Sequence, residues 1–120
     1  MIPTEAQEQE TLFAWARMQE GKYPELALLH AIPNGGSRHP VEAKHLKAQG
    51  VKAGVPDICL PVARQGYHGL YIELKRMKGG RVSEAQQKWM DDLRDQGYKA
   101  EVCHGFDEAR REIVVYLAEF

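Results

Sequence analysis

The reading of this chain turns on Gly54-Val55-Pro56-Asp57-Ile58-Cys59-Leu60-Pro61-Val62, followed after a polar connection by Leu70-Tyr71-Ile72-Glu73-Leu74-Lys75. Residues 58–62 and 70–75 are short, mostly apolar runs bounded by turn-forming residues, the pattern of strands buried on both faces of a sheet. Residues 65–69 read as a hairpin-like loop, so the two runs are expected to pair antiparallel, with Ile58 and Tyr71 as rough partners. Side chains alternate across a strand, which puts Glu73 and Lys75 on one face while Leu74 points into the core. Asp57 stands at the start of the neighbouring strand. The hairpin therefore brings Asp57 and Glu73 together, with Lys75 beside them.

Two carboxylates converging near an apolar sheet repel one another unless a cation lies between them. Mg²⁺ suits such a place, because it prefers oxygen ligands and is commonly held by one or two carboxylates plus substrate phosphate. Such an ion polarises a phosphoryl oxygen and generates a hydroxide nucleophile. A lysine alongside can orient the attacking water and offset charge on the phosphate. These parts suit phosphodiester hydrolysis. The competing reading of Glu73 and Lys75 is a solvent-facing cross-strand ion pair, which contributes little. Pro56 argues against ordinary strand continuation, since proline cannot donate to a central ladder.

Outward from this core, Thr4 and Gln7 form a capping signature for a helix over residues 4–20, with Leu12, Trp15 and Ala16 at helical spacing and Gly21 after its end. Residues 26–32 form an apolar run expected to be a strand, stopped by Pro33-Asn34-Gly35-Gly36. Residues 40–49 read as a short basic helix, with Pro40 near its start and Gly50 past its end. Ser83 caps a helix through about Gln96, in which Ala85, Trp89 and Leu93 make one apolar stripe. A third core strand over 99–104 and a last helix over 106–117 complete the chain. Strands interleaved with helices predict an α/β fold, a central mixed sheet flanked by helices on both sides, with the last strand brought in parallel by a helical crossover. Residues 1–120 are read as a single domain.

At 120 residues, one compact core is all the length accommodates. The net charge of −1 argues against a protein that coats nucleic acid indiscriminately, since such binders are usually strongly basic. The distribution is uneven, however. Lys44, Lys47 and Lys52 precede Asp57, and Arg76, Lys78 and Arg81 follow Lys75, while acidic residues collect at both ends. These basic groups are candidate phosphate contacts or simply a solvated charged face. Asn34-Gly35-Gly36 is either a backbone nest for a phosphate or a tight turn. No stretch reaches the roughly 18 apolar residues of a membrane span. The N-terminus lacks a signal-peptide pattern, so a cytoplasmic protein is expected. Cys59 and Cys103 lie in apolar segments and read as buried hydrophobes, and no second CxxC or HxxxH completes a zinc site around Cys103 and His104. The five histidines are scattered without ligand spacing, which speaks against a histidine-based nuclease. Trp15 and Trp89 sit on apolar stripes and are assigned to packing rather than base stacking.

Asp57 with Glu73-Leu74-Lys75 resembles the PD-(D/E)xK nuclease superfamily and its restriction-endonuclease-like core. More narrowly, the chain is similar to a stand-alone VRR-NUC (virus-type replication-repair nuclease) domain. The segments that carry the likeness are residues 32–36, 46–57 and 69–75, together with Ser83 and Gln86. The resemblance implies metal coordination by Asp57, Glu73 and the backbone carbonyl of Leu74, with Mg²⁺ as the ion and Mn²⁺ as a substitute, and with Lys75 catalytic. It implies a further carboxylate from the first helix, assigned to Glu8 with Glu5 one turn earlier in reserve. Either glutamate also suits a solvated first turn of a helix. Gln86 matches a polar residue of the helix after the core strand, where it touches Lys75 or phosphate; an exposed helix glutamine is the plain alternative. The implied activity is a structure-selective DNA endonuclease, Holliday-junction-resolvase-like and homodimeric, acting on branched DNA in phage or bacterial replication, recombination or repair. Asn34, Lys52, Arg76, Lys78 and Arg81 are its expected substrate contacts. The alternative is an inactive nuclease fold that binds branched DNA or a repair partner. A nucleotide hydrolase is disfavoured by the lack of a Walker-type loop.

Overall fold

The computed structural model describes residues 1–33 and 40–120. Helix α1 spans Glu5–Met18 and opens on the expected capping box: Thr4 Oγ1 accepts from the Gln7 amide, and Gln7 Oε1 accepts from the Thr4 amide. Its inward face is Glu8, Leu12 and Ala16, one residue per turn.

The expected strand over residues 26–32 is a correction. Pro24–Leu28 form a 3₁₀ turn, and only His30–Ala31 are strand β1. Its hydrogen bonds run from Leu26 N to Tyr23 O and from Leu29 N to Leu26 O. A 3₁₀ turn aligns positions i and i+3, which buries Leu26 and Leu29 and leaves Leu28 half-exposed. An apolar run with buried positions three apart is a turn, whatever its strand propensity.

After α2 (Pro40–Ala48), the sheet continues with β2 (Ile58–Leu60), β3 (Leu70–Lys75) and β4 (Lys99–His104), in the order β1-β2-β3-β4. The first two pairings are antiparallel and the third parallel, so the sheet is mixed as expected. Strand β2 stops at Leu60, short of the expected Val62, because Pro61 has no N–H for the ladder. The tight turn of the β2–β3 connection lies at Arg64–Tyr67, where Gln65 and Gly66 both take positive φ, as a two-residue hairpin turn requires. The register also differs from expectation: Ile58 faces Ile72, and Cys59 faces Tyr71.

Helices α3 (Glu84–Asp95) and α4 (Phe106–Ala118) cover opposite faces. Leu70, Ile72 and Leu74 pack into one cluster with Leu12 and Ala16 of α1 and with Ala109, Ile113 and Tyr116 of α4. The odd-numbered face of β3 meets α3, whose Gln86 bonds both Glu73 and Lys75. In α3 the residue most deeply buried is Met90, while Ala85 is exposed, so the expected Ala85–Trp89–Leu93 stripe is rotated toward Gln86 and Met90. Trp15 packs against the core and meets Phe106 edge to face at 6.4 Å between ring centroids. Strand β3 is thereby sealed on both sides.

Candidate active site

Glu73 is a charged residue inside that seal, 2% exposed. It is there because β3 is central and its odd face lies under α3. Glu73 Oε1 accepts from Gln86 Nε2 at 2.7 Å, and Lys75 Nζ lies 3.7 Å from the same oxygen. Glu73 Oε2 is buried without a hydrogen-bond partner. Burial, then the neighbouring charge of Asp57, push its carboxyl up from 4.5 to about 7.

Asp57 sits just ahead of β2. The Ile58–Ile72 register, carried on by one residue, sets it opposite Glu73. Asp57 Oδ2 accepts from the Leu74 amide at 2.9 Å, so the backbone between Glu73 and Lys75 holds the aspartate in place. Burial raises its carboxyl above the ordinary value, against the lowering effect of that hydrogen bond. Both acids are thus poorly compensated for their charge.

Lys75 is buried too, at 7% exposure. Its Nζ donates to Gln86 Oε1 at 3.0 Å. A Cβ on Gly80 would lie 3.0 Å from Lys75 Cβ and 3.3 Å from Cδ, so the glycine lets the loop close over the lysine stem. Gly80 carries no signal of this role in the sequence, and Ser83 reads there only as a helix cap. The S-x-x-Q spacing was the available signal that the cap and Gln86 are one unit.

The structure brings Asp57, Glu73, Lys75 and Gln86 together. Glu8 is buried at the junction of α1 and α4: its Oε2 has no hydrogen-bond partner and lies against Gly105, where an added Cβ would come within 2.5 Å. Of the α1 acids, Glu5 is the one whose charge raises both Asp57 and Glu73. Among the described residues, no group of three or more His, Cys, Asp or Glu side chains is arranged to hold a metal ion. Lys52, Arg76, Lys78 and Arg81 are exposed. Asn34 lies outside the described residues. No helix among those described is long and apolar enough to cross a membrane.

A mixed sheet with helices on both faces, and a half-buried Asp57 beside buried Glu73 and Lys75 at its central strands, defines a nuclease-type α/β domain. Residues 2–107 match the model of the VRR-NUC domain, and the chain belongs to that family. It is similar to a solved structure described as a VRR_NUC domain protein, with 32% identity and a TM-score of 0.83, over 98% of this chain and 90% of that one. No match is found among the curated proteins.

Proposed function

We propose that the protein is a metal-dependent, structure-selective DNA endonuclease. The observation that carries this reading is the unpartnered, buried Oε2 of Glu73 beside Asp57 and Lys75. Burial holds both carboxyls above their ordinary values, and the charge of Asp57 raises Glu73 further, so a divalent cation between them would be stabilised. An all-oxygen donor set of this kind fits Mg²⁺, with Mn²⁺ as a substitute. Asp57, Glu73 and the backbone carbonyl of Leu74 would hold the ion; of the α1 acids Glu5, whose charge reaches both carboxyls, is better placed to add to them than Glu8, which packs against Gly105. A divalent ion there supplies positive charge to a phosphoryl oxygen and makes water a better nucleophile at neutral pH.

The chain's own groups do the rest. Lys75 has three N–H donors, of which Gln86 takes one. The others face the reacting phosphate, to orient the attacking water and to stabilise charge growing on the phosphoryl oxygens. Water attacks phosphorus, the bond to the 3′ oxygen breaks, and a 5′-phosphate and a 3′-hydroxyl result. Lys52, Arg76, Lys78, Arg81 and Asn34 track the DNA backbone, which positions the duplex without reading its sequence. Choice of branched or junction DNA comes from a homodimer that sets two active sites at a fixed spacing, in the cytoplasm of a bacterial or phage-infected cell.

The test is cleavage of labelled four-way junction, flap, single-stranded and linear duplex DNA with Mg²⁺, Mn²⁺ or EDTA, alongside Asp57→Ala and Lys75→Ala. Metal-dependent cleavage lost in both variants supports the proposal. Junction binding without cleavage by the wild type would replace it with a DNA-binding module on a nuclease fold.

A further inference from the structure

The first turn of α3 touches both halves of the site. Gly54 has a φ of +91°, and a Cβ there would lie 2.9 Å from the backbone and Cβ of Ala85. The helix start therefore rests directly on the segment leading to Asp57. One residue further along α3, Gln86 reaches Glu73 and Lys75 of β3. Its amide makes a closed set of bonds. Gln86 Oε1 accepts from the Ser83 amide at 2.9 Å and from Lys75 Nζ at 3.0 Å, while Nε2 donates to Glu73 at 2.7 Å. Ser83 Oγ accepts from the Gln86 backbone N–H at 3.1 Å and completes the capping box.

These partners leave the Gln86 amide one orientation. A backbone N–H and a lysine ammonium are donors only, and an ionised carboxylate accepts only. Turning the amide over would face its NH₂ to two donors and its oxygen to Glu73. The same box at Thr4–Gln7 has an exposed glutamine. At Ser83–Gln86 the second lone pair of the box glutamine is spent on a buried lysine.

We propose that the Ser83–Gln86 capping box is a positioning device for the active site: Ser83 Oγ holds the Gln86 backbone and the Ser83 N–H its side-chain oxygen, and the side chain so fixed sets the placement of the Glu73 carboxylate and the Lys75 ammonium. Neither Ser83 nor Gln86 needs to touch the DNA for this. The catalytic consequence rests on the nuclease reading, whereas the geometry does not.

Gln86→Glu separates the two roles. Glutamate serves a capping box as well as glutamine does, so the helix and the bond to Lys75 persist. A carboxylate then replaces the donor facing Glu73. We expect kcat on the best DNA substrate to fall about 10- to 100-fold, with a small change in KM, as for other groups that orient metal ligands. Ser83→Ala should lose about 10-fold in kcat, and Ser83→Thr, which keeps the acceptor, should recover most of it. Wild-type kcat in Gln86→Glu would overturn the proposal, because a cap-only role predicts that result.

A second readout is independent of cleavage. In the ¹⁵N-labelled protein, the Gln86 side-chain NH₂ should be shifted from free glutamine values and protected from exchange. Both features should be lost in Ser83→Ala and kept in Ser83→Thr. Free-like Gln86 signals in the wild type, or signals unmoved by Ser83→Ala, overturn the proposal even in an active nuclease. Signals as expected, in a protein that cleaves nothing with either metal, uphold the positioning geometry and reject the nuclease reading.

Discussion

Raising the pH of the metal-free protein should destabilise it, and Glu73 sets the size of the effect. Its carboxyl is 2% exposed and is pushed from 4.5 to about 7. The folded protein therefore binds this proton more tightly than the unfolded chain does, and stability falls as pH rises through that interval. The stability is fully present below the unfolded value of 4.5 and is lost by the time the pH passes about 7. At about 1.4 kcal/mol per pH unit, the interval corresponds to about 3 kcal/mol. Asp57, also raised by burial, acts in the same direction. For a domain of this size, about 3 kcal/mol amounts to a fall in Tm of about 10 °C. The assay is thermal unfolding in EDTA from about pH 5 to about pH 8, for the wild type and Glu73→Gln. Subtracting the two curves removes the contribution of the five histidines. Glu73→Gln should have the flatter profile and the higher Tm at the alkaline end, and it should be inactive. Mg²⁺ or Mn²⁺ should raise the alkaline Tm of the wild type, by about 3 kcal/mol in free energy at a hundredfold excess over Kd, and leave the variant unmoved. Parallel pH profiles for the two proteins would refute the reasoning.

Other outcomes follow from packing and burial elsewhere in the fold. Tyr116→Phe removes a buried hydrogen bond from the Tyr116 hydroxyl to Val62 O at 2.6 Å. Urea unfolding should show a loss of about 1–2 kcal/mol, while cleavage by the folded protein is unchanged. Gly105→Ala forces a side chain into a φ of +91° against Glu8 Oε2 and Met77 Cγ, and should lose about 2 kcal/mol or more in the same assay. Burial raises both thiols, that of Cys103 to about 12. Both should resist thiol reagents in the native protein and react promptly in denaturant, as mass spectrometry would show.

What the sequence alone determined is what depends on near neighbours in the chain. The Thr4–Gln7 capping box, the Ser83 cap, the strand at residues 99–104, the antiparallel hairpin and the parallel crossover were legible, because helix caps and alternation are local hydrogen-bonding and periodicity effects. The meeting of Asp57, Glu73 and Lys75 was legible for the same reason, since a hairpin of known strand order leaves its two mouths few places to go. Tertiary structure decided the rest. It turned the apolar run around Leu26 into a 3₁₀ turn, because two leucines three residues apart reach the core that way. It set the register one residue from expectation, since packing on both faces of β3 selects which side chains fill the core. It placed Glu8 against Gly105 and let the charge of Glu5 reach the two site carboxyls. It also turned a helix cap into the clamp on Glu73 and Lys75. Each of these depends on burial and on groups distant in sequence, and desolvation acts through space rather than along the chain.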